Sequence, residues 1–260
     1  MKKGIAQKTI YYKDEINDEF SKAQIKTKLI DEKYKYFQNN WFWKFSSFFW
    51  YRVVATPIAF GYCKGKFKMR VINGNILKDV KGGYFLYGNH TQETADAFIP
   101  SVISYPKRMY IIVHPNNVSM PVLGKLTPKM GAIPLPSNLK ASKNFIQTLE
   151  YRIKEDSAIM IYPEAHIWPY YTGIRPFQSA SFRYPIKFNV PSYCITTTYQ
   201  QKKKSTKPLI TVYVDGPFYA SDGLEGKERE ENLRNKIYDT MVERSKNSTY
   251  EYIKYVRDGS

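Results

Sequence analysis

Short apolar runs recur along the chain after residue 64, and segments with helical periodicity separate several of them. The apolar runs cover residues 84–87, 109–113, 131–135, 158–162, 191–198 and 209–214. Helical spacing is clearest over residues 139–155 and 225–245, and a shorter helix is predicted over 97–104. This alternation predicts an α/β domain with a mostly parallel central sheet flanked by helices. In such a sheet, ligands bind in the loops at the carboxyl ends of the strands.

Two further segments carry local predictions. Residues 64–76 are expected to form a half-buried strand, because Phe67, Met69 and Val71 alternate with basic side chains. Residues 200–205 hold three lysines and are expected to form a solvated loop.

A histidine and two carboxylates follow the first apolar run, at a predicted turn from strand to helix. The stretch begins at Gly88 and reads Gly-Asn-His-Thr-Gln-Glu-Thr-Ala-Asp. Neutral imidazole can accept a proton near pH 7, and a nearby carboxylate can fix its tautomer. His90 is therefore a candidate general base, with Asp96 or Glu93 as its partner. The alternative is a loop histidine beside a helix start, where Thr, Glu and Asp are common in any case.

Composition limits the partners and the kinds of site. The formal charge is +17, which favours nucleic acid, anionic lipid surfaces or phosphorylated substrates. With three His and two Cys, we expect neither a metal site nor a disulfide framework, and a reducing compartment fits the cysteine usage. No apolar signal core and no clean run of 18 apolar residues is evident in the sequence.

The segment over residues 34–63 is unusually aromatic and holds three of the four tryptophans: Trp41, Trp43 and Trp50. Trp and Tyr favour the membrane interface, and Lys44 and Arg52 suit anionic headgroups. We expect an aromatic helical segment that lies in that interface. The alternative is an aromatic helix packed on the core of a soluble protein. The sequence thus predicts two parts: an N-terminal arm and membrane-interface segment over 1–63, and an α/β domain over 64–260.

The pair Asn89 and His90 with a downstream Asp resembles the first signature block of the glycerolipid acyltransferases, the family of 1-acylglycerol-3-phosphate acyltransferase. That block is normally N-H-x4-D, whereas five residues separate His90 from Asp96 here. Asp96 is preferred to Glu93, because the sequence after it continues into a helix as in the family. The resemblance implies that His90 and Asp96 are catalytic and that Asn89 contributes to substrate binding.

Later segments resemble further blocks of the same family. Residues 161–164, Ile-Tyr-Pro-Glu, resemble its F-P-E-G-T block, which implies that Glu164 binds the acceptor, although Ala and His replace the usual Gly and Thr at 165–166. Gly131 matches the glycine of the second block, but residues 135–137 lack the phosphate-binding Arg that usually follows. Lys129, Lys140 or Lys143 could replace it, and the sequence does not choose among them. Arg175 is another candidate for that phosphate, with a solvated loop cation as its alternative. The resemblance extends over about residues 64–245.

This resemblance implies an acyltransferase of phospholipid biosynthesis. It would move a fatty acyl group from acyl-coenzyme A or acyl carrier protein to the hydroxyl of a lysophospholipid-type acceptor, by default 1-acylglycerol-3-phosphate. It implies no metal and no cofactor beyond the donor. The implied partners are a membrane lipid acceptor and the membrane surface, at the cytoplasmic face of the cell membrane. The departures at 135–137 and 165–166 leave another lysolipid or a glycolipid open.

Two other classes of function remain open from the sequence. One is a catalytically inactive lipid-binding relative, in which the extra residue before Asp96 separates it from His90. The other is an RNA-binding basic protein with aromatic stacking platforms. We expect no nucleic-acid partner, because the aromatics cluster in one apolar run instead of interleaving with basic residues.

Overall fold

The computed structural model describes residues 8–20, 26–203 and 205–259. Within them the strands are β1 (Lys8–Tyr12), β2 (Arg70–Ile72), β3 (Tyr84–Gly88), β4 (Met109–Val113), β5 (Ala132–Pro134), β6 (Ala158–Ile161), β7 (Ser192–Lys202), β8 (Ser205–Phe218) and β9 (Ile253–Arg257). The α-helices are α1 (Trp41–Phe48), α2 (Thr56–Phe60), α3 (Ile99–Ile103), α4 (Asn116–Ser119), α5 (Leu123–Leu126), α6 (Leu139–Lys154), α7 (Arg183–Phe188) and α8 (Gly226–Ser245).

A seven-stranded sheet in the order β2-β8-β7-β3-β6-β4-β5 forms the centre of the fold. Every neighbouring pair is parallel except β7 and β8, which form an antiparallel hairpin. Strands β3 and β6 are buried along their whole length, as expected for strands covered on both faces. Apolar clusters lie on the two faces of the sheet, with α6 and α8 covering one of them. The predicted α/β class with a mostly parallel sheet is confirmed.

The termini of the described chain pair with each other outside this sheet. Strand β1 lies parallel to β9, with Lys8 opposite Ile253 and Tyr12 opposite Arg257. Trp168 is fully buried beneath them, and its indole N–H donates to the carbonyl oxygen of Asp18 at 2.9 Å. Part of the predicted N-terminal arm is therefore packed on the α/β unit, while the division at residue 63 stays a prediction.

The aromatic segment is helical from Trp41 to Lys66. It begins at the cap residue Asn40, whose side chain accepts from the N–H of Trp43 at 2.8 Å. Two π-helical stretches, Phe49–Ala55 and Gly61–Lys66, alternate with α1 and α2. None of the helices in the described parts of the chain has the length and apolar character needed to cross a bilayer.

Two local predictions were wrong. The expected strand over residues 64–76 is limited to β2, because the preceding helical segment continues to Lys66 and only Arg70–Ile72 reaches the edge of the sheet beside β8. The expected loop over residues 200–205 is mostly strand, because β7 and β8 extend as a ladder as far as the pair of Lys202 and Ser205. Residue 204 of that loop lies outside the described residues. Apolar patterning fails here because residues 200–202 and 205–207 of the ladder are polar and none of them is buried.

Candidate active site

His90 and Asp96 meet in the turn that follows β3. The Nδ1 atom of His90 lies 2.8 Å from Oδ2 of Asp96. Strand β3 ends at Gly88, where an added Cβ would come within 2.5 Å of the Met160 side chain. A larger residue at this buried position would require the Met160 side chain to move, and His90 follows at the carboxyl edge of the sheet.

The Asp96 carboxylate is buried and held by the backbone of its own turn. The N–H of Gln92 donates to Oδ2 at 2.9 Å, and the N–H of Asp96 donates to the carbonyl oxygen of Gln92 at 3.1 Å. Burial raises the pKa of Asp96, and the hydrogen bonds from His90 and Gln92 oppose that rise. Glu93 is exposed in the same turn and lies on the cavity wall. In the structure, Asp96 is thus the carboxylate that orients the imidazole.

Tyr162 supports both members of this pair. Its ring stacks on the imidazole of His90 at a centroid distance of 4.4 Å and an interplanar angle of 15°. Its hydroxyl donates to the carbonyl oxygen of Asp96 at 2.6 Å. The sequence shows Tyr162 only as the last residue of an apolar run, and the clue to its role is its place directly before Pro163 and Glu164.

A buried ion pair fixes the backbone at His90. The Glu164 carboxylate accepts from the N–H of His90 at 2.9 Å and from the N–H of Arg175 at 2.9 Å. The Arg175 guanidinium is fully buried 3.5 Å from Glu164, donates to the carbonyl oxygen of His166 and stacks over Trp168. Burial raises the pKa of Glu164 and lowers the pKa of Arg175, and their mutual attraction opposes both shifts.

Asn89 and Gly131 each contribute to the structure around the turn and the sheet. The side-chain amide of Asn89 donates to the carbonyl oxygen of Thr197 at 3.0 Å and accepts from the N–H of Thr197 at 2.8 Å, which joins the turn to β7. Gly131 has a φ of 107°, and an added Cβ would lie 2.7 Å from the carbonyl oxygen of Met109. Only glycine suits that position.

A cavity of 1480 Å³ opens beside His90 and Asp96. Apolar side chains from several elements line much of it: Phe67, Ile111, Ile112, Val113, Met120, Leu135 and Ile161. Four lysines lie at its wall, namely Lys8, Lys66, Lys202 and Lys207. The cavity therefore combines an apolar wall, a histidine–carboxylate pair and positive charge.

The four residues predicted to bind substrate do not line this cavity. They are Asn89, Gly131, Glu164 and Arg175, and Arg175 has no exposed surface from which to reach a phosphate. Their contacts give them a supporting role, and substrate binding by them stays a prediction. The lysines at the cavity wall were missed as a group, because they come from three separate parts of the sequence.

A face of exposed aromatic side chains lies on the N-terminal helical segment. Trp41, Phe42, Phe45, Phe48 and Phe49 are exposed, Trp41 by 77%. They follow helical spacing and share one face. The opposite face is anchored to the domain, since Ser47 bonds the carbonyl oxygen of Lys129 and Tyr51 accepts from the N–H of Met109. We name these five aromatic residues the aromatic face.

The cysteines and possible metal ligands add no further centre in the described residues. Cys63 and Cys194 are both buried and free, and burial raises the pKa of each thiol. No group of three or more His, Cys, Asp or Glu side chains suited to a metal ion occurs within residues 8–20, 26–203 and 205–259.

Comparison with known proteins identifies both a family and a related fold. The sequence profile of the family named Acyltransferase matches residues 68–198, half of the chain. No curated protein sequence matches the chain. Among solved structures, the fold is similar to that of the 1-acyl-sn-glycerophosphate (LPA) acyltransferase PlsC from Thermotoga maritima, at a TM-score of 0.54 and 15% sequence identity. That likeness covers 79% of this chain and 88% of the other.

Proposed function

Because the chain belongs to the acyltransferase family, we propose that it transfers a fatty acyl group from an acyl thioester to the hydroxyl of a lysophospholipid-type acceptor. The contact of 2.8 Å between His90 and Asp96, on the wall of a cavity with apolar lining, carries the proposal. The default acceptor is 1-acylglycerol-3-phosphate, the substrate named for the similar structure. Donors are acyl-coenzyme A or acyl carrier protein.

The proton transfer follows from the orientation of the imidazole. With the Nδ1 proton directed at Asp96, Nε2 carries the lone pair that can accept a proton. Among the described residues, none forms a hydrogen bond with that nitrogen. Nε2 removes the proton of the acceptor hydroxyl as its oxygen attacks the thioester carbonyl. General-base help of this kind typically contributes about 10²–10⁴-fold to the rate.

The second half of the reaction uses the same two residues. The tetrahedral intermediate collapses, the carbon–sulfur bond breaks, and the ester bond to the acceptor remains. The proton held by His90 passes to the leaving thiolate, which restores the neutral imidazole. The Asp96 carboxylate stabilises the imidazolium between these two steps, as a buried carboxylate does for a catalytic histidine.

We propose that the enzyme works at the cytoplasmic face of the cell membrane, where its acceptor resides. The aromatic face supports this part of the proposal, because exposed Trp and Phe side chains partition into the interface of a bilayer. The formal charge of +17 adds attraction to anionic headgroups. The enzyme would then meet the acceptor without extracting it into water.

The test is thiol release from acyl-coenzyme A and from acyl carrier protein, with vesicles that contain one lysolipid at a time. We expect release that depends on the acceptor and is largest with a lysophospholipid, with the acylated lipid as the second product. Lys227→Gln is a control variant, since this lysine is 82% exposed on α8 and away from the cavity. If no acceptor in the panel gives thiol release, although the protein is folded and binds vesicles, the inactive lipid-binding alternative is favoured.

A further inference from the structure

Three of the four cavity lysines form one group at the far end of the β7–β8 hairpin. Lys202 ends β7, and Lys207 lies near the start of β8. Lys8 comes from β1, where it pairs with Ile253 of β9. All three line the cavity that holds His90, and we call them the lysine rim.

Contacts of the C-terminal segment join β1 to the hairpin. The hydroxyl of Tyr250 donates to the carbonyl oxygen of Thr206 at 3.0 Å, next to Lys207. The N–H of Tyr250 donates to the carbonyl oxygen of Tyr199 on β7. Residues 250–253 therefore connect the hairpin to the strand pair that carries Lys8. The lysine rim is one surface, although its members lie almost 200 residues apart in the sequence.

The charges of the lysine rim are not used within the described part of the chain. No described carboxylate forms an ion pair with Lys8, Lys202 or Lys207. Three ammonium groups at one end of a cavity attract an anion with several oxygens, and phosphate is the common biological example.

The separation of the lysine rim from His90 favours one of two phosphates, that of the acceptor or that of the acyl donor. Asn89, directly before His90, hydrogen-bonds both backbone groups of Thr197 and is therefore level with that residue of β7. Lys202 lies five residues farther along the same strand, which is about 17 Å at 3.3–3.4 Å per residue. The backbone of Lys202 therefore lies on the order of 17 Å from the level of His90 along β7.

The phosphate of the acceptor lies much closer to its hydroxyl than Lys202 lies to His90 along β7. Four bonds join the hydroxyl oxygen of 1-acylglycerol-3-phosphate to its phosphorus, or about 5 Å when extended. Thirteen bonds join the sulfur of a phosphopantetheine arm to its phosphorus, or about 16 Å at about 3.6 Å per three bonds. The arm of the acyl donor is thus closer in length to the separation of Lys202 from His90 along β7.

We propose that the lysine rim binds the phosphate of the acyl donor and that the pantetheine arm lies along β7 towards His90. This inference rests on the proposed function for the identity of the donor. The thioester would then lie beside the His90 imidazole while the phosphate holds the carrier at Lys8, Lys202 and Lys207. Coenzyme A and the prosthetic group of acyl carrier protein share this arm and its first phosphate.

The test compares donors with and without phosphate in the triple variant Lys8→Gln, Lys202→Gln, Lys207→Gln. The donors carry one acyl group on coenzyme A, on phosphopantetheine or on pantetheine. We expect the KM for acyl-coenzyme A to rise roughly tenfold, since exposed charge pairs each contribute about 0.2–1 kcal/mol. The KM for acyl-pantetheine and the kcat for all donors should not change, and Lys227→Gln should resemble the wild type.

The phosphopantetheine donor shows which phosphate is bound. A raised KM with both acyl-coenzyme A and acyl-phosphopantetheine supports binding of the first phosphate at the rim. A raised KM with acyl-coenzyme A alone would overturn it, because the phosphates nearer adenosine lie beyond the end of the arm. Equal KM values for wild type and triple variant, or a KM that rises for the acceptor instead, would overturn the proposal.

Equilibrium dialysis of coenzyme A, without acceptor, separates this inference from the proposed function. If the wild type binds coenzyme A and the triple variant binds it about tenfold more weakly, the rim holds a carrier phosphate even in a protein that turns over no thioester. If thioester turnover is normal and coenzyme A binding is the same in both proteins, the proposed function survives and the rim proposal fails.

Discussion

The Nδ1 atom of His90 lies 2.8 Å from Oδ2 of Asp96, although five residues separate them in the chain. A helix-like turn absorbs the extra residue, because the N–H of Asp96 bonds the carbonyl oxygen of Gln92 and a 3₁₀ turn follows over Ala95–Ala97. The turn brings the carboxylate into contact with Nδ1 at the edge of the imidazole. The departure from the N-H-x4-D spacing therefore does not separate the two side chains.

Asp96→Asn should lower kcat by about 10²–10⁴-fold, within the range of general-base catalysis and of lost orientation of a catalytic histidine. The amide keeps the size of the carboxylate, so the cavity should keep its shape and the KM for the donor should change little. Steady-state kinetics with acyl-coenzyme A measure both constants. A kcat within threefold of the wild type would contradict the role of Asp96.

The same substitution should change how stability depends on pH. Burial raises the pKa of Asp96 in the folded protein above its value in the unfolded chain, so the folded state keeps this proton to a higher pH. Below the unfolded pKa near 3.8 the carboxyl is protonated in both states, so the buried charge does not lower the free energy of unfolding. That free energy falls as pH rises through the pKa of the folded state. The melting temperature of Asp96→Asn, relative to wild type, should rise from about pH 4 to about pH 7. A relative melting temperature that falls over this interval would contradict the assignment.

Glu164→Gln should destabilise the fold by about 3–5 kcal/mol, because it leaves the fully buried guanidinium of Arg175 without its charged partner. The matched control is Glu155→Gln. Glu155 pairs with Arg152 but is itself 41% exposed, so its loss should cost under about 1 kcal/mol. Urea unfolding of both variants gives the comparison. Similar losses in the two variants would contradict a buried charge pair between Glu164 and Arg175.

The sequence predicted the sheet and the histidine–carboxylate turn, and it could not predict what surrounds them. Apolar runs such as 84–87 and 158–161 are short and buried on both faces, as strands of a covered parallel sheet are. The sequence around Arg175 does not show whether this residue binds a phosphate or pairs with a buried Glu164. That difference depends on the packing of Trp168 and of residues near Glu15, which lie far away in the chain.

The lysine rim could not be predicted from the sequence either. Lys202 and Lys207 belong to a hairpin whose distal residues, 200–202 and 205–207, are polar and unburied, so no alternation of apolar residues marks them as strand. Lys8 reaches the rim only through the pairing of β1 with β9, which joins residues near opposite ends of the chain. No local pattern encodes that contact.

Replacing Trp41 and Phe45 by Ser should weaken binding to vesicles without unfolding the protein. Both side chains are exposed, so neither substitution opens a cavity in the core. Each should cost about 1–2 kcal/mol of partitioning, or roughly 5–30-fold in affinity. Co-sedimentation with anionic vesicles measures the loss, and Tyr11→Ser, which removes an exposed aromatic outside this helix, is the control. Equal binding by both variants would argue against the aromatic face as the membrane contact.

The central claim is that His90 is the base of an acyl transfer to a lipid hydroxyl. The most direct measurement is acceptor-dependent thiol release by His90→Ala beside wild type, with circular dichroism to establish that both are folded. We predict that release falls by at least about 10²-fold and that binding of coenzyme A is retained. Release by folded His90→Ala at the wild-type rate would contradict the account.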